Sequence, residues 1–285
     1  MKIHAFKVEV GQKSAPLEDT LNLIKSEADL SRRVRLISQS ETRAEWLEKR
    51  DGLWYLDFVK FRTTQGPGKA KRRGIVEGFT FAQGESFGEE TAALYDPKTG
   101  FILVQYNHSG IRAGAIAQYL SEFNGAATND YNFLPKFDPE TERRLVRKTI
   151  KKRLLFKIDV NEMDAEDIKQ GVALADAVAL GRSSAAGQVE IELTATGGGQ
   201  GLGAKVGDIL TAVQNLYARN PAAVKSLKVA GKIDADDALE VLDLLKQRLY
   251  VQLDDIRPGA DLRLPLSERW KGLDRAKNAW KRYLK

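Results

Sequence analysis

Residues 53–61, Leu-Trp-Tyr-Leu-Asp-Phe-Val-Lys-Phe, set Trp54, Leu56 and Phe58 on one side of an extended chain and Leu53, Tyr55, Val59 and Phe61 on the other. Side chains alternate across a strand with a period of two, so apolar residues on both sides require cover on both faces. The run therefore predicts a central strand between two packed layers. A hairpin follows it. Ala92–Tyr95 and Phe101–Tyr106 are apolar segments around Asp96-Pro97-Lys98-Thr99-Gly100, a turn with Pro early and Gly late. Further strands are expected at Ile3–Val10, Val34–Ile37, Leu154–Val160, Val189–Thr196, Leu227–Val229 and Tyr250–Leu253. Helical spacing marks Leu17–Leu30, Ile111–Phe123, Ala165–Leu180, Val206–Ala218, Asp236–Gln247 and an amphipathic Ser267–Lys285. With 285 residues the chain exceeds one ordinary small core. The expectation is an α+β protein of two domains, 1–153 and 154–285, with mixed or antiparallel sheets each packed with helices.

Several functional classes are excluded by composition. The chain has no cysteine, which removes disulfides, thiolate zinc sites, iron–sulfur clusters and thiol nucleophiles. It has two histidines, His4 in a strand and His108 in a loop, too few for a His-rich metal site and poorly placed for a hydrolytic triad. The first residues alternate like a strand and lack the continuous apolar core of a secretory signal. No apolar run approaches the roughly 18–20 residues that span a bilayer. A cytoplasmic protein without a cofactor, not inserted in a membrane, is expected.

Charge is clustered more than it is abundant. The net charge is +6, yet residues 143–153 read Arg-Arg-Leu-Val-Arg-Lys-Thr-Ile-Lys-Lys-Arg, without an acid. On a helix, Arg143, Arg144, Arg147, Lys148, Lys151 and Lys152 fall on one half and Leu145, Val146, Thr149 and Ile150 on the other, with Arg153 out of place. Asp138-Pro139-Glu140-Thr141-Glu142 supplies a cap, a Pro at the first helical position and first-turn acids. The competing arrangement is a strand from Leu154 that begins early and pulls Lys151, Lys152 and Arg153 off the helix. A cationic half-cylinder suits a polyanion, because each cation set against a phosphate releases counterions without reading base sequence. Lys69, Lys71, Arg72 and Arg73, in a Gly- and Pro-containing loop, form a second basic patch able to follow a phosphate backbone.

The glycine-rich segment 197–203 precedes a helix and Lys205, where phosphate loops are found. It lacks the Gly-Lys-Ser/Thr ending of a nucleotide loop, leaving its amides and Lys205 as phosphate contacts at most. Glu89-Glu90 and Asp96-Pro97-Lys98 raise the alternative of a metal-dependent nuclease, although no further acid-x-Lys completes such a core. A third option is an interaction protein whose basic faces meet an acidic phage protein.

A resemblance covers most of the chain. Gly-Phe-Thr-Phe at 78–81 precedes the hairpin, and Phe133-Leu134-Pro135-Lys136-Phe137 precedes the basic stretch. Val189-Glu190-Ile191-Glu192-Leu193 leads to a helix, followed by Asn220-Pro221, the segment Val224–Lys232, and a last helix with Trp270, Tyr283 and Leu284. In this order the chain resembles the RexA group of phage-exclusion proteins and their prophage and bacterial relatives. The resemblance implies a homodimer that binds DNA with little sequence preference and acts in abortive infection through a membrane-protein effector. The sequence thus points to sequence-independent binding of duplex DNA, with Arg143, Arg144, Arg147, Lys148, Lys151, Lys152, Arg153, Lys69, Lys71, Arg72, Arg73 and Lys205 as contacts.

Overall fold

The computed structural model describes residues 1–285 except 12–13, 65, 126–129, 169–170, 197–199 and 221 and the side chain of residue 166. The chain runs β1 (Lys2–Val10), α1 (Leu17–Ser26), β2 (Arg35–Ile37), β3 (Ser40–Arg50), β4 (Leu53–Arg62), β5 (Phe87–Asp96), β6 (Phe101–Tyr106), α2 (Ala113–Phe123), β7 (Tyr131–Pro135) and α3 (Pro139–Arg147). It continues through β8 (Ile150–Asp159), α4 (Ala165–Ile168), α5 (Val172–Ser183), β9 (Gln188–Thr194), α6 (Lys205–Arg219), β10 (Val224–Lys232), β11 (Glu240–Asp243), β12 (Tyr250–Gln252) and α7 (Leu266–Trp280). Two antiparallel sheets result, so the fold is α+β. The larger has the order β12-β1-β6-β5-β4-β3-β2, with β7 also paired to β1; the smaller has the order β11-β10-β8-β9.

β4 lies inside the larger sheet, covered on both faces as its alternation requires. Trp54, Leu56 and Phe58 join α1 and α2 in one core through Leu17, Leu21, Ile24, Ile116 and Leu120. Tyr55 on the opposite face meets Trp270, Leu273 and Ala276 of α7. Helix α7 is fixed there by more than apolar contact. Arg269 donates to both carboxylate oxygens of buried Asp57 at 2.6 and 3.1 Å, and the Trp270 indole donates to the Leu56 carbonyl at 3.2 Å. The 92–106 hairpin is present, with Gly100 in the left-handed region at φ +66° and its N–H bonded to Asp96 O at 2.8 Å.

The smaller sheet carries α5 and α6 on its apolar face. Leu154, Phe156 and Ile158 of β8 alternate inward against Leu174 and Val178 of α5 and Leu210, Val213 and Leu216 of α6. Sheet membership crosses the expected division at residue 153: β8 spans it, and β12 and α7 return to the larger sheet.

Several expectations need correction: the one helix expected over 165–180 is two, α4 and α5, and β7 adds a strand to those expected. The basic segment is not one helix. Asp138 does cap α3 through the Glu140 and Thr141 amides at 3.1 Å each, but the helix ends at Arg147. Ile150 then starts β8, because the alternating apolar set 154–156–158 and pairing to both β9 and β10 outweigh helix continuation. Residues 236–247 do not form a helix. Glu240–Asp243 instead adds an edge strand to β10, which sends Leu242 into the core while Val241 stays outside. Finally β3 was not expected, although Asp51-Gly52 behind it is a hairpin turn with φ +49° and +78°.

Candidate functional site

The cations of 143–153 are dispersed, and acids absent from the run reach them from elsewhere. Arg144 and Lys148 both pair with Glu240 at the start of β11, and Lys148 is almost fully buried. Hydrogen bonds from these two cations hold the Glu240 carboxyl below its usual range. Arg143 lies 3.6 Å from Glu140, and Arg153 3.5 Å from Glu192 across β8 and β9. Lys152 donates to the Gln200 carbonyl. Among the described residues, Arg147 and Lys151 have no acidic partner. The half-cylinder of cations is therefore replaced by a helix end and a strand whose charges are largely compensated.

The other expected contacts lie on separate elements. Lys69, Lys71, Arg72 and Arg73 occupy the exposed connection between β4 and β5, where Lys69 bridges Glu77, Lys71 pairs with Glu77 at 2.5 Å and Lys69 stacks over Phe79. Lys205 opens α6, and the segment before it touches the basic strand, since Leu202 N–H donates to Lys151 O at 2.7 Å. The first part of the glycine-rich loop, 197–199, lies outside the described residues. Of the predicted contacts, the structure brings Arg144 and Lys148 together on Glu240, and the segment leading to Lys205 runs beside Lys151 and Lys152.

The carboxylates behind the nuclease alternative are engaged with cations. Glu89 pairs with Arg62 at 2.7 Å, Glu90 with Arg269 at 3.0 Å and also with Arg263, and Asp96 with Lys277 at 3.2 Å. Among the described residues, no cluster of three or more His, Asp or Glu is placed to hold a metal ion. No helix among them is long and apolar enough to cross a membrane.

A different site forms where the two sheets meet. Lys2, His4 and Phe6 point to one side of β1 by strand alternation, beside Val104 and Tyr106 of β6. The start of α2 contributes Ile111, Arg112 and Ala113, α6 contributes Tyr217 and Ala218, and the approach to β12 contributes Arg248. Together they enclose a cavity of about 140 Å³. Close approach of α2 and α6 builds its wall, since a Cβ on Gly114 would lie 2.0 Å from the Arg219 Cα.

Its electrostatics are one-sided. Arg112 lies 4.3 Å from the Tyr106 ring, Arg248 4.6 Å from the Tyr217 ring, and Lys2 4.3 Å from the Tyr250 ring. Arg112 also donates to His108 O at 2.7 Å. No carboxylate lines the cavity, and among the described residues none pairs with Lys2, Arg112 or Arg248. Burial pulls the Arg248 guanidinium below its usual range. The positive end of α2 opens here too, with neither a side-chain cap nor an acid in its first turn.

Two buried polar atoms in this wall have no partner: His4 Nδ1 and one terminal nitrogen of Arg112. His4 is 5% exposed, and burial, followed by the charges of Arg248, Lys2 and Arg112, pushes its pKa down to about 3. It is a neutral imidazole surrounded by cations. Orphaned buried polar groups are uncommon and costly, and unopposed cations in a concave wall fit an anion that completes both.

Comparison with known families adds a grouping. A profile over residues 12–256 matches the chain and is described as a family of unknown function, DUF6731. The chain belongs to this family. No curated protein matches it. In the DUF6731 segment lie Arg112, Tyr217 and Arg248, whereas Lys2 and His4 precede it.

None of these residues stands out in the sequence as a ligand contact. Lys2, Arg112 and Arg248 are isolated cations, far apart in the chain, and nothing local links them. The one legible trace was His4, a polar residue inside an apolar alternation on β1.

Proposed function

We propose that this protein is a binding module for a ligand carrying a strongly anionic group, phosphate or carboxylate, seated in the pocket of Lys2, Arg112 and Arg248. One observation carries the reading: three cations converge on a cavity with no acid to compensate them. Tyr106 and Tyr250, each about half exposed at the rim, offer ring surface to the rest of the ligand. The cavity has room for one anionic group and a few waters, and a nucleic-acid duplex cannot enter it.

A second reading keeps duplex DNA as the ligand, as the resemblance to phage-exclusion proteins implies, with contacts to the backbone alone. It is favoured by Arg147, Lys151 and Lys205, which have no acidic partner among the described residues, the last two on neighbouring segments. Such contacts position without specifying sequence.

Calorimetric titration separates the readings. Inorganic phosphate and acetate are the pocket probes, and a mixed-sequence duplex in 50 mM salt is the polymer probe. A hydrogen bond to a charged group is worth about 1.5–3 kcal/mol, so Arg112→Ala and Arg248→Ala should each weaken the small anion tenfold or more. Failure of both anions to bind, or binding indifferent to both substitutions, overturns the pocket reading. Duplex binding weakened by Arg147→Glu with Lys151→Glu, and untouched by Arg248→Ala, would establish the second.

A further inference from the structure

We propose that the pocket selects a terminal phosphoryl group, a phosphomonoester in its dianionic form, and that His4 takes up a proton when this ligand binds. The inference rests on the anion-binding reading above and concerns the same site. Three features on separate elements support it.

The first is charge. Lys2 from β1, Arg112 from the start of α2 and Arg248 before β12 bring three positive charges to one cavity, besides the positive end of α2. A diester or carboxylate carries one negative charge and leaves most of that field unanswered. A phosphomonoester, whose second pKa is about 6, carries close to two at neutral pH.

The second is shape. The cavity is concave and about 140 Å³, and its polar groups arrive from several directions. A terminal phosphoryl group can enter with three oxygens foremost. A diester must carry a substituent on each side, which suits an elongated groove better than this small concave pocket.

The third is His4. Every charged or titratable side chain facing it is a cation or a phenol: Lys2 on its own strand, Tyr106 on β6, Tyr250 on β12, Arg248, Arg112 and Tyr217. Its Nδ1 is buried and has no partner. In the empty pocket burial, and after it the charges of these cations, keep the imidazole neutral. A dianion among them offsets most of that positive field. At about 4 Å and an intermediate dielectric, each negative charge favours the imidazolium by roughly three pH units. Two such charges outweigh burial and the neighbouring cations together and make the His4 ring an imidazolium at neutral pH. The proton comes from solvent, no bond in the ligand is broken, and the complex gains one proton overall.

The test is calorimetry at pH 7.5 in two non-phosphate buffers of different ionisation enthalpy, with methyl phosphate, dimethyl phosphate and acetate as probes. The expected result is methyl phosphate at least tenfold tighter than either other probe, with about one proton taken up per site. His4→Asn should abolish that uptake. Because a buried substitution can disturb folding, a second measurement follows the His4 ring nitrogens by NMR in His108→Gln protein, which leaves His4 as its one histidine. Methyl phosphate should convert the ring from neutral to imidazolium. Tight methyl phosphate binding without proton uptake, or with a ring that stays neutral, overturns the inference and leaves the anion site standing. Equal affinity for dimethyl phosphate overturns the monoester selection. If none of the three probes binds, the anion-binding reading itself falls.

Discussion

The basic run 143–153 and the pocket at the junction of the sheets are both rich in cations, and the fold treats them in opposite ways. In the run, seven cations close in sequence separate onto α3, the turn after it and β8, and Glu140, Glu192 and Glu240 meet four of them. In the pocket, three cations far apart in sequence are brought together with no acid nearby. A local run of one sign tells little about the final field, since any strand or helix packed against it can carry the opposite charge. Uncompensated charge that the fold itself assembles is the more informative signal, because it opposes folding and persists where something else offsets it.

The sharpest break in this comparison is Lys148→Glu. Lys148 looked like one of the surface contacts, yet its ammonium is buried against Glu240 and the Gly231 carbonyl. Reversal places two carboxylates together and should cost about 3–5 kcal/mol of stability, the range for breaking a buried pair. Urea unfolding measures it. A loss below about 1 kcal/mol would show that Lys148 is a surface cation after all.

The pocket should reveal itself in acid. His4 titrates near 6.5 when unfolded and about 3 when folded. Its depressed folded value means that its share of stability is complete above pH 6.5 and is lost as pH falls from 6.5 toward 3. Between pH 7 and pH 4 that loss is roughly 3 kcal/mol. In His4→Asn this part of the pH dependence should vanish, while the part due to carboxylates stays. Thermal melts of both proteins across that range check it; parallel curves would mean that His4 is not held neutral by its surroundings.

Much of the fold was legible because its signals are short in range. The two-sided apolar run of β4, the turn before Gly100 and the Asp138 cap of α3 each act within a few residues, and each is found where local chemistry puts it. The helix expected over 236–247 gives way because Val241, Leu242 and Leu245 suit a helix face while Leu242 and Leu244 suit an inward-facing edge segment, and only pairing to β10 decides between them. The basic helix failed in the same manner: apolar alternation from 154 onward, with partners on both sides, extended β8 back to Ile150. The pocket was illegible for a stronger reason. Lys2, Arg112 and Arg248 acquire meaning only after β1, α2 and the lead into β12 have been assembled, and that assembly depends on pairing between residues nearly the whole chain apart.

The smallest expected effect separates the two regions most cleanly. Lys2→Gln and Lys151→Gln each remove one positive charge and keep a comparable stem, one in the pocket and one on β8. In the ligand-free protein Lys2 shares its surroundings with Arg112 and Arg248, so its removal relieves repulsion and should stabilise the fold by about 0.5–1 kcal/mol, the usual yield of improving one charge. Lys151 lies at the start of β8, paired through its backbone to Gly231 and beyond the stretch that faces Glu190 and Glu192, and its removal should stay within about 0.5 kcal/mol of zero. Saturating methyl phosphate should invert the order: Lys2→Gln then loses the stabilisation that the ligand gives the unsubstituted protein, while Lys151→Gln retains it. Melting temperatures with and without the ligand measure all four states. If Lys2→Gln were destabilising in both, Lys2 would serve as a packed stem over Tyr250 and the pocket would be a two-cation site.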